Sequence, residues 1–155
     1  MSTKPIKRHE ALKPISREHH HGLLLCWKIR QGLSNDVAPE RIKAYVDWFW
    51  DTHLKFHFEI EEKYIFSILP TEHPMVQQAL DEHLQIKDLI LNQNNTQQNL
   101  ESLEKVLNDH IRFEERVLFN EIQNIATPAQ LSEIDLHHNE IFTDTWQDEF
   151  WLRNK

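Results

Sequence analysis

Two stretches of the chain carry the same chemistry at the same spacing. In "HFEIEEKYIF", His57 and Glu61 stand one helical turn apart, and 53 residues further on "HIRFEERVLF" repeats the pair as His110 and Glu114. Both pairs sit among large apolar residues, on the side that a helix turns inward. A carboxylate or an imidazole buried there is costly unless something satisfies it. A cation does so by supplying countercharge and occupying the imidazole lone pairs. Histidine is the commonest metal ligand, and the chain has eleven, at positions 9, 19, 20, 21, 53, 57, 73, 83, 110, 137 and 138. A single His-Glu pair at this spacing is usually a surface contact. Two pairs, with more histidines on inward faces elsewhere, favour a metal centre.

The elements that must position these residues read as helices from their start and stop signals. The first runs from near Pro14 to about Leu33, and the second from Pro39 to about Leu69. Pro74 opens the third, "PMVQQALDEHLQIKDLILNQ", and the fourth runs from about Gln97 to Asn124. Thr127, Pro128 and Gln130 form the cap, first position and capping-box partner of a fifth. That fifth, amphipathic helix is expected over about 127–152, carrying Leu131, Ile134, Phe142, Trp146 and Trp151. The expected fold class is all-α: an up-down-up-down four-helix bundle over about 12–125, with the extra C-terminal helix, in one domain of 155 residues.

Helix 2 has a seam at Trp50, Leu54, His57, Glu61, Tyr64 and Ile68. Helix 4 repeats it at Leu103, Leu107, His110, Glu114 and Val117, and helix 3 offers Val76, Leu80, His83, Lys87 and Ile90. Helices 1–2 and 3–4 also form a weak repeat, with "EH" on each odd helix and "HxxxEE" on each even one. Two such hairpins face to face would pool the polar pairs at one depth. Two ions about 3.5–4 Å apart, bridged by carboxylates, would fit the gap. Nitrogen and oxygen donors without thiolates favour iron, manganese or zinc.

Composition narrows the alternatives. Two glycines and six prolines suit helices, and the net charge of −8 argues against a nucleic-acid partner. No apolar run approaches the ~20 residues that span a bilayer, and the N-terminal sequence lacks the apolar middle of a secretion signal. No membrane partner and a cytoplasmic location are therefore expected. One cysteine, Cys26 in "LLLCW", excludes an internal disulfide and reads as a small buried hydrophobe.

"EHHHGLLLCW", "HFEIEEKYIF", "DEHLQI" and "HIRFEERVLF" together resemble the four helices of the hemerythrin-like, or HHE cation-binding, family. The resemblance implies a cofactor of two iron ions in an oxo- or hydroxo-bridged non-haem centre. One histidine would come from each helix and one bridging glutamate from each HxxxE. Carried over, the metal ligands are His57, Glu61, His83, His110 and Glu114, with one histidine of helix 1. Apolar spacing relative to helix 3 favours His20, because Leu23, Cys26 and Trp27 follow it at the matching offsets. The shared "EH" favours His19 instead. We take His20, with His19 as the alternative.

Oxygen carriers of the family place a second histidine one turn along helix 3 and an aspartate on helix 4. Here Lys87 and Glu114 hold those places. The resemblance therefore implies an open position on each iron. The expected function is binding of O2, NO or iron for sensing, storage or redox-stress response, through a small diatomic or anionic ligand. A di-iron enzyme acting on NO or peroxide, or repairing iron centres, is the alternative. His53 is read as an outer partner or extra ligand, Glu62 and Glu115 as solvated or outer groups, and Tyr64 as core. His73 falls in a loop. His137 and His138 are placed on the fifth helix, whose aromatic face is expected to mediate a homodimer.

Overall fold

Proline lacks an amide donor and has a fixed φ, so a helix accepts it only in its first turn. Pro14, Pro39, Pro74 and Pro128 all stand there in the computed structural model, which describes residues 7–137 and 142–152. Helix α1 is Lys13–Ser34, entered through a 3-10 turn at Glu10–Leu12. The second rod, α2, is built from Pro39–Phe49, a π turn at Trp50–Leu54, Lys55–Ile60, a second π turn at Glu61–Ile65 and a 3-10 turn at Phe66–Ile68. Helix α3 is Pro74–Leu91. The fourth rod, α4, joins Thr96–Phe113, a π turn at Glu114–Leu118 and Phe119–Ile125. Helix α5 is Pro128–His137. Among the described residues there is no strand, and no helix is long and apolar enough to cross a membrane. The all-α bundle with an additional helix is as expected.

The apolar interior divides into two clusters. One holds Leu25, Ile29, Phe49, Leu54, Ile86, Ile90, Leu107 and Ile111. The other holds Ile15, Ile65, Phe66, Val76, Ala79, Leu118, Phe119 and Ile122. Each of the four rods contributes to both, and between its two contributions each rod presents buried His or Glu. The polar residues are thus enclosed between two apolar slabs.

Two expectations need correction. The seams of α2 and α4 slip by one residue after each glutamate: Ile65 and Leu118 are fully buried, whereas Tyr64 is half-buried and Val117 exposed. The cause is the π turn that opens there, in which the amides of Phe66 and Phe119 donate to the carbonyls of Glu61 and Glu114, five residues back. On α3, Ala79 and Ile86 face the core, while Leu80 is half-buried and Lys87 exposed.

The fifth helix forms with its capping box, since Gln130 N donates to Thr127 Oγ1 (3.2 Å) and Thr127 N to Gln130 Oε1 (2.9 Å). Its described part is Pro128–His137, and 142–152 is not helical, so the helix expected through 152 does not extend over that segment. His138 lies outside the described residues. The segment 142–152 runs as a strap against the first cluster. Phe150 is buried there, and Phe142, Trp146 and Trp151 pack beside it. The strap is pinned by Lys28 Nζ donating to Asp144 (2.9 Å), by Tyr45 OH on the same carboxylate, and by Arg41 donating to both oxygens of Asp148 (3.0 and 2.6 Å). The aromatic residues expected to form an assembly face are packed against their own chain.

Candidate metal centre

Six side chains from four rods meet between the slabs: His19 of α1, His57 and Glu61 of α2, His83 of α3, and His110 and Glu114 of α4. All are at most 4 % exposed. His20 is exposed and outside this group, so helix 1 supplies His19 in place of the expected His20. Its buried residues include Ile15, His19, Gly22, Leu25, Cys26 and Ile29. Offset from their histidines, Ile15, Gly22 and Cys26 match Ala79, Ile86 and Ile90 of α3. Gly22 leaves a gap in the apolar spacing because α4 comes close: a Cβ there would lie 2.7 Å from Ile111 Cδ1. Leu23 and Trp27, which favoured His20, are 39 % and 38 % exposed.

The donor atoms fall into two groups that share both glutamates. One is His19, His57, Glu61 and Glu114; the other is Glu61, His83, His110 and Glu114. Within each, one donor atom per residue lies within 4.8 Å of the others. Glu61 oxygens approach Nε2 of His57 and His83 (3.3 Å each) and of His19 (3.5 Å). Glu114 oxygens approach Nε2 of His19 (2.8 Å), His110 (3.0 Å) and His83 (3.6 Å). None of these approaches has the alignment of a hydrogen bond. Nε2 of His19, His83 and His110 and all four oxygens of Glu61 and Glu114 are buried without a hydrogen-bond partner. Buried polar atoms are rarely left so. Seven in one place, all nitrogen and carboxylate oxygen, fit a cation site. Cys26 is fully buried in the first cluster, where burial pushes its thiol up to about 12.

The opposite edge of every ring is held. Nδ1 contacts run from His19 to Glu115 (2.7 Å), His57 to Glu18 (2.8 Å), His83 to Glu62 (2.7 Å) and His110 to Glu82 (2.6 Å). A carboxylate on Nδ1 fixes the tautomer with the lone pair on Nε2, aimed inward. The sequence repeat generates this ring of partners. The residue after each HxxxE glutamate takes the histidine of an odd rod, and the residue before each odd-rod histidine takes the histidine of an even rod. Glu62 and Glu115 are thus outer partners. Glu18 and Glu82 were visible only as the "EH" of the repeat, with no signal of their role. Phe58 stacks on His83 at 3.7 Å and 9°, restricting that ring further.

Electrostatics tie the group together. Burial opposes protonation of the four imidazoles, but the carboxylates around them prevail. His19 and His83 are held well above the usual histidine range, His57 is raised to about 9 and His110 is raised. Burial likewise opposes ionisation of Glu61 and Glu114, and mutual repulsion adds to it at Glu61. The imidazoles nevertheless hold both carboxyls low, Glu114 well below its ordinary value. The site prefers buried anions with positive charge between them, and protons fill that role when no metal does.

The remaining residues behave variously. Lys87 is exposed and Tyr64 is half-buried. His73 caps α3, its Nδ1 accepting from Met75 N (3.1 Å). His137 stacks on Tyr64 at 4.3 Å and is not in the centre. No curated protein and no solved structure matches the chain. The sequence model of the Hemerythrin HHE cation binding domain matches residues 10–122, a span that contains every donor described above, and the chain belongs to that family.

Proposed function

We propose that the chain is a non-haem di-iron protein whose paired centre takes a small diatomic or anionic ligand, in sensing, storage or response to redox stress. The observation that carries this is the pair of four-donor groups sharing Glu61 and Glu114, with seven of their buried atoms unpartnered. His19 and His57 would hold one ion and His83 and His110 the other, with the two glutamates spanning both. Oxygen and nitrogen donors suit iron, manganese or zinc. Iron is preferred because the family resemblance implies it. When bound, the paired iron supplies reversible redox and Lewis-acid capacity for a small ligand. The protein's part is to aim four Nε2 lone pairs through the outer carboxylates, keep the two bridging groups ionised and exclude bulk water with the two slabs.

Metal analysis of chain purified without a tag tests the reading. Two equivalents of iron are expected, with near-ultraviolet charge-transfer absorption that shifts on adding azide. A chain that takes up no metal from excess ferrous salt sinks the centre. Full loading with no azide response removes the accessible ligand position.

A further inference from the structure

One neighbour of the centre comes from outside the helices. Arg8 precedes the 3-10 turn that enters α1 and lies outside the residues that match the family model. Its short arm is docked on α4 by Gln123. Arg8 Nη1 donates to Gln123 Oε1 (2.8 Å), His9 N donates to the same oxygen (3.1 Å), and Gln123 Nε2 donates to Lys7 O (3.0 Å). The guanidinium thereby reaches the π turn of α4. There Phe119 N donates to Glu114 O, so Glu115 O loses the donor that an unbroken α-helix would supply. Arg8 Nη2 takes that place at 2.7 Å. The same nitrogen lies 3.5 Å from Oε1 of the Glu115 side chain. Oε2 of that carboxylate accepts from Ser16 Oγ (2.8 Å) and meets His19 Nδ1 (2.7 Å). Arg8 Cζ is also 5.4 Å from the ring centroid of Phe119, which stacks with His19. Two neighbours of the His19 ring, Glu115 and Phe119, are thus both approached by Arg8.

We propose that Arg8 is a positioning residue of the metal centre. By fixing the carbonyl and the carboxylate of Glu115, it holds the His19 ring with Nε2 turned toward Glu61 and Glu114. This role rests on the paired centre proposed above. Arginine suits it, because a planar fork serves a carbonyl and a carboxylate at once. The Arg8 side chain is only 15 % exposed, so its charge gives up water for these partners. On α2 the counterpart of Glu115 is Glu62, which holds His83 with its side chain 44 % exposed. The α1 corner of the centre is clamped where the α3 corner is left to water. Charge and geometry predict opposite signs for the loss of Arg8. A cation acting by charge alone would repel a metal ion, and its removal would tighten binding. Removal of a positioning residue frees the His19 ring and weakens binding.

The test compares full-length unaltered chain with Arg8→Gln, which removes the charge and the fork, and with Gln123→Ala, which undocks the arm without touching the centre or its outer carboxylates. Zn2+ affinity is measured by competition with a chelator, and the imidazole nitrogens of metal-depleted chain are followed by NMR at one pH. Arg8→Gln is expected to bind Zn2+ about tenfold more weakly, the lower end of losing an outer partner, and Gln123→Ala to change in the same direction. In metal-depleted Arg8→Gln the His19 Nδ1 signal is expected to shift or broaden while that of His110 stays. Unchanged or tighter binding in folded Arg8→Gln overturns the role, and so does an unmoved His19 signal. If Arg8→Gln folds poorly, Gln123→Ala decides on the same two readings. Failure of the unaltered chain to take up metal counts against the paired centre alone, because the His19 signal judges Arg8 without metal.

Discussion

At the scale of single residues, the structure divides labour between the faces of each imidazole, and the two faces should fail differently. His19→Ala removes an inward donor and leaves Glu61 and Glu114 short of one partner, so metal content per chain is expected to fall. His20→Ala alters an exposed ring and should load fully. Metal analysis of the two variants side by side decides which histidine helix 1 contributes, and equal loss in both would sink the assignment. The outer face is milder. Glu82→Gln keeps the shape but weakens the hold on His110 Nδ1, which lies 2.6 Å away. Metal affinity is expected to fall about 10–100-fold with the helical fold kept, as measured by competition with a chelator of known strength. His19 was hard to pick because the criterion was apolar spacing, and a close helix crossing had replaced an apolar residue with Gly22.

At the scale of elements, the four rods, their proline starts and the polar pairs at matching depth were legible, since periodicity reports which face is inward. The π turns were not, because nothing in "EEKYI" or "EERVL" announces an i+5 bond. Yet they have a consequence that can be tested. After Glu114 the buried residues are Leu118, Phe119 and Ile122. Deleting exposed Val117 would place these at the spacings of an unbroken α-helix, so the lower core should stay in register. Only the widened turn at the glutamate would be lost. The expected result is a folded protein by circular dichroism with weakened metal binding. Loss of folding would mean that the turn serves packing and not the centre. The strap of 142–152 was misread for a related reason: Phe142, Trp146 and Trp151 fit a helical face as well as they fit an irregular run against α1 and α2. Only tertiary partners, Lys28, Tyr45 and Arg41, separate the two.

At the scale of the molecule, the buried charges couple stability to pH, and metal should reverse the coupling. Without metal, the imidazoles bind protons more tightly in the folded chain than in the unfolded one. Their contribution is complete below the unfolded histidine value of about 6.5 and is lost as pH rises through the folded value, which for His57 is about 9. Glu61 and Glu114 work in the opposite sense: their lowered values contribute stability above about pH 4.3, lost on acidification through the folded value. Metal-depleted protein should therefore lose melting temperature between about pH 7 and about pH 9. In the loaded protein the ions replace the protons between the same anions, and binding needs neutral imidazoles. Deprotonation then favours binding, so the loaded protein's melting temperature should hold or rise across that window, and chelator should lower it most at the alkaline end. Thermal scans of both forms over the range make the comparison. Parallel curves would mean that the buried imidazoles do not exchange protons for metal.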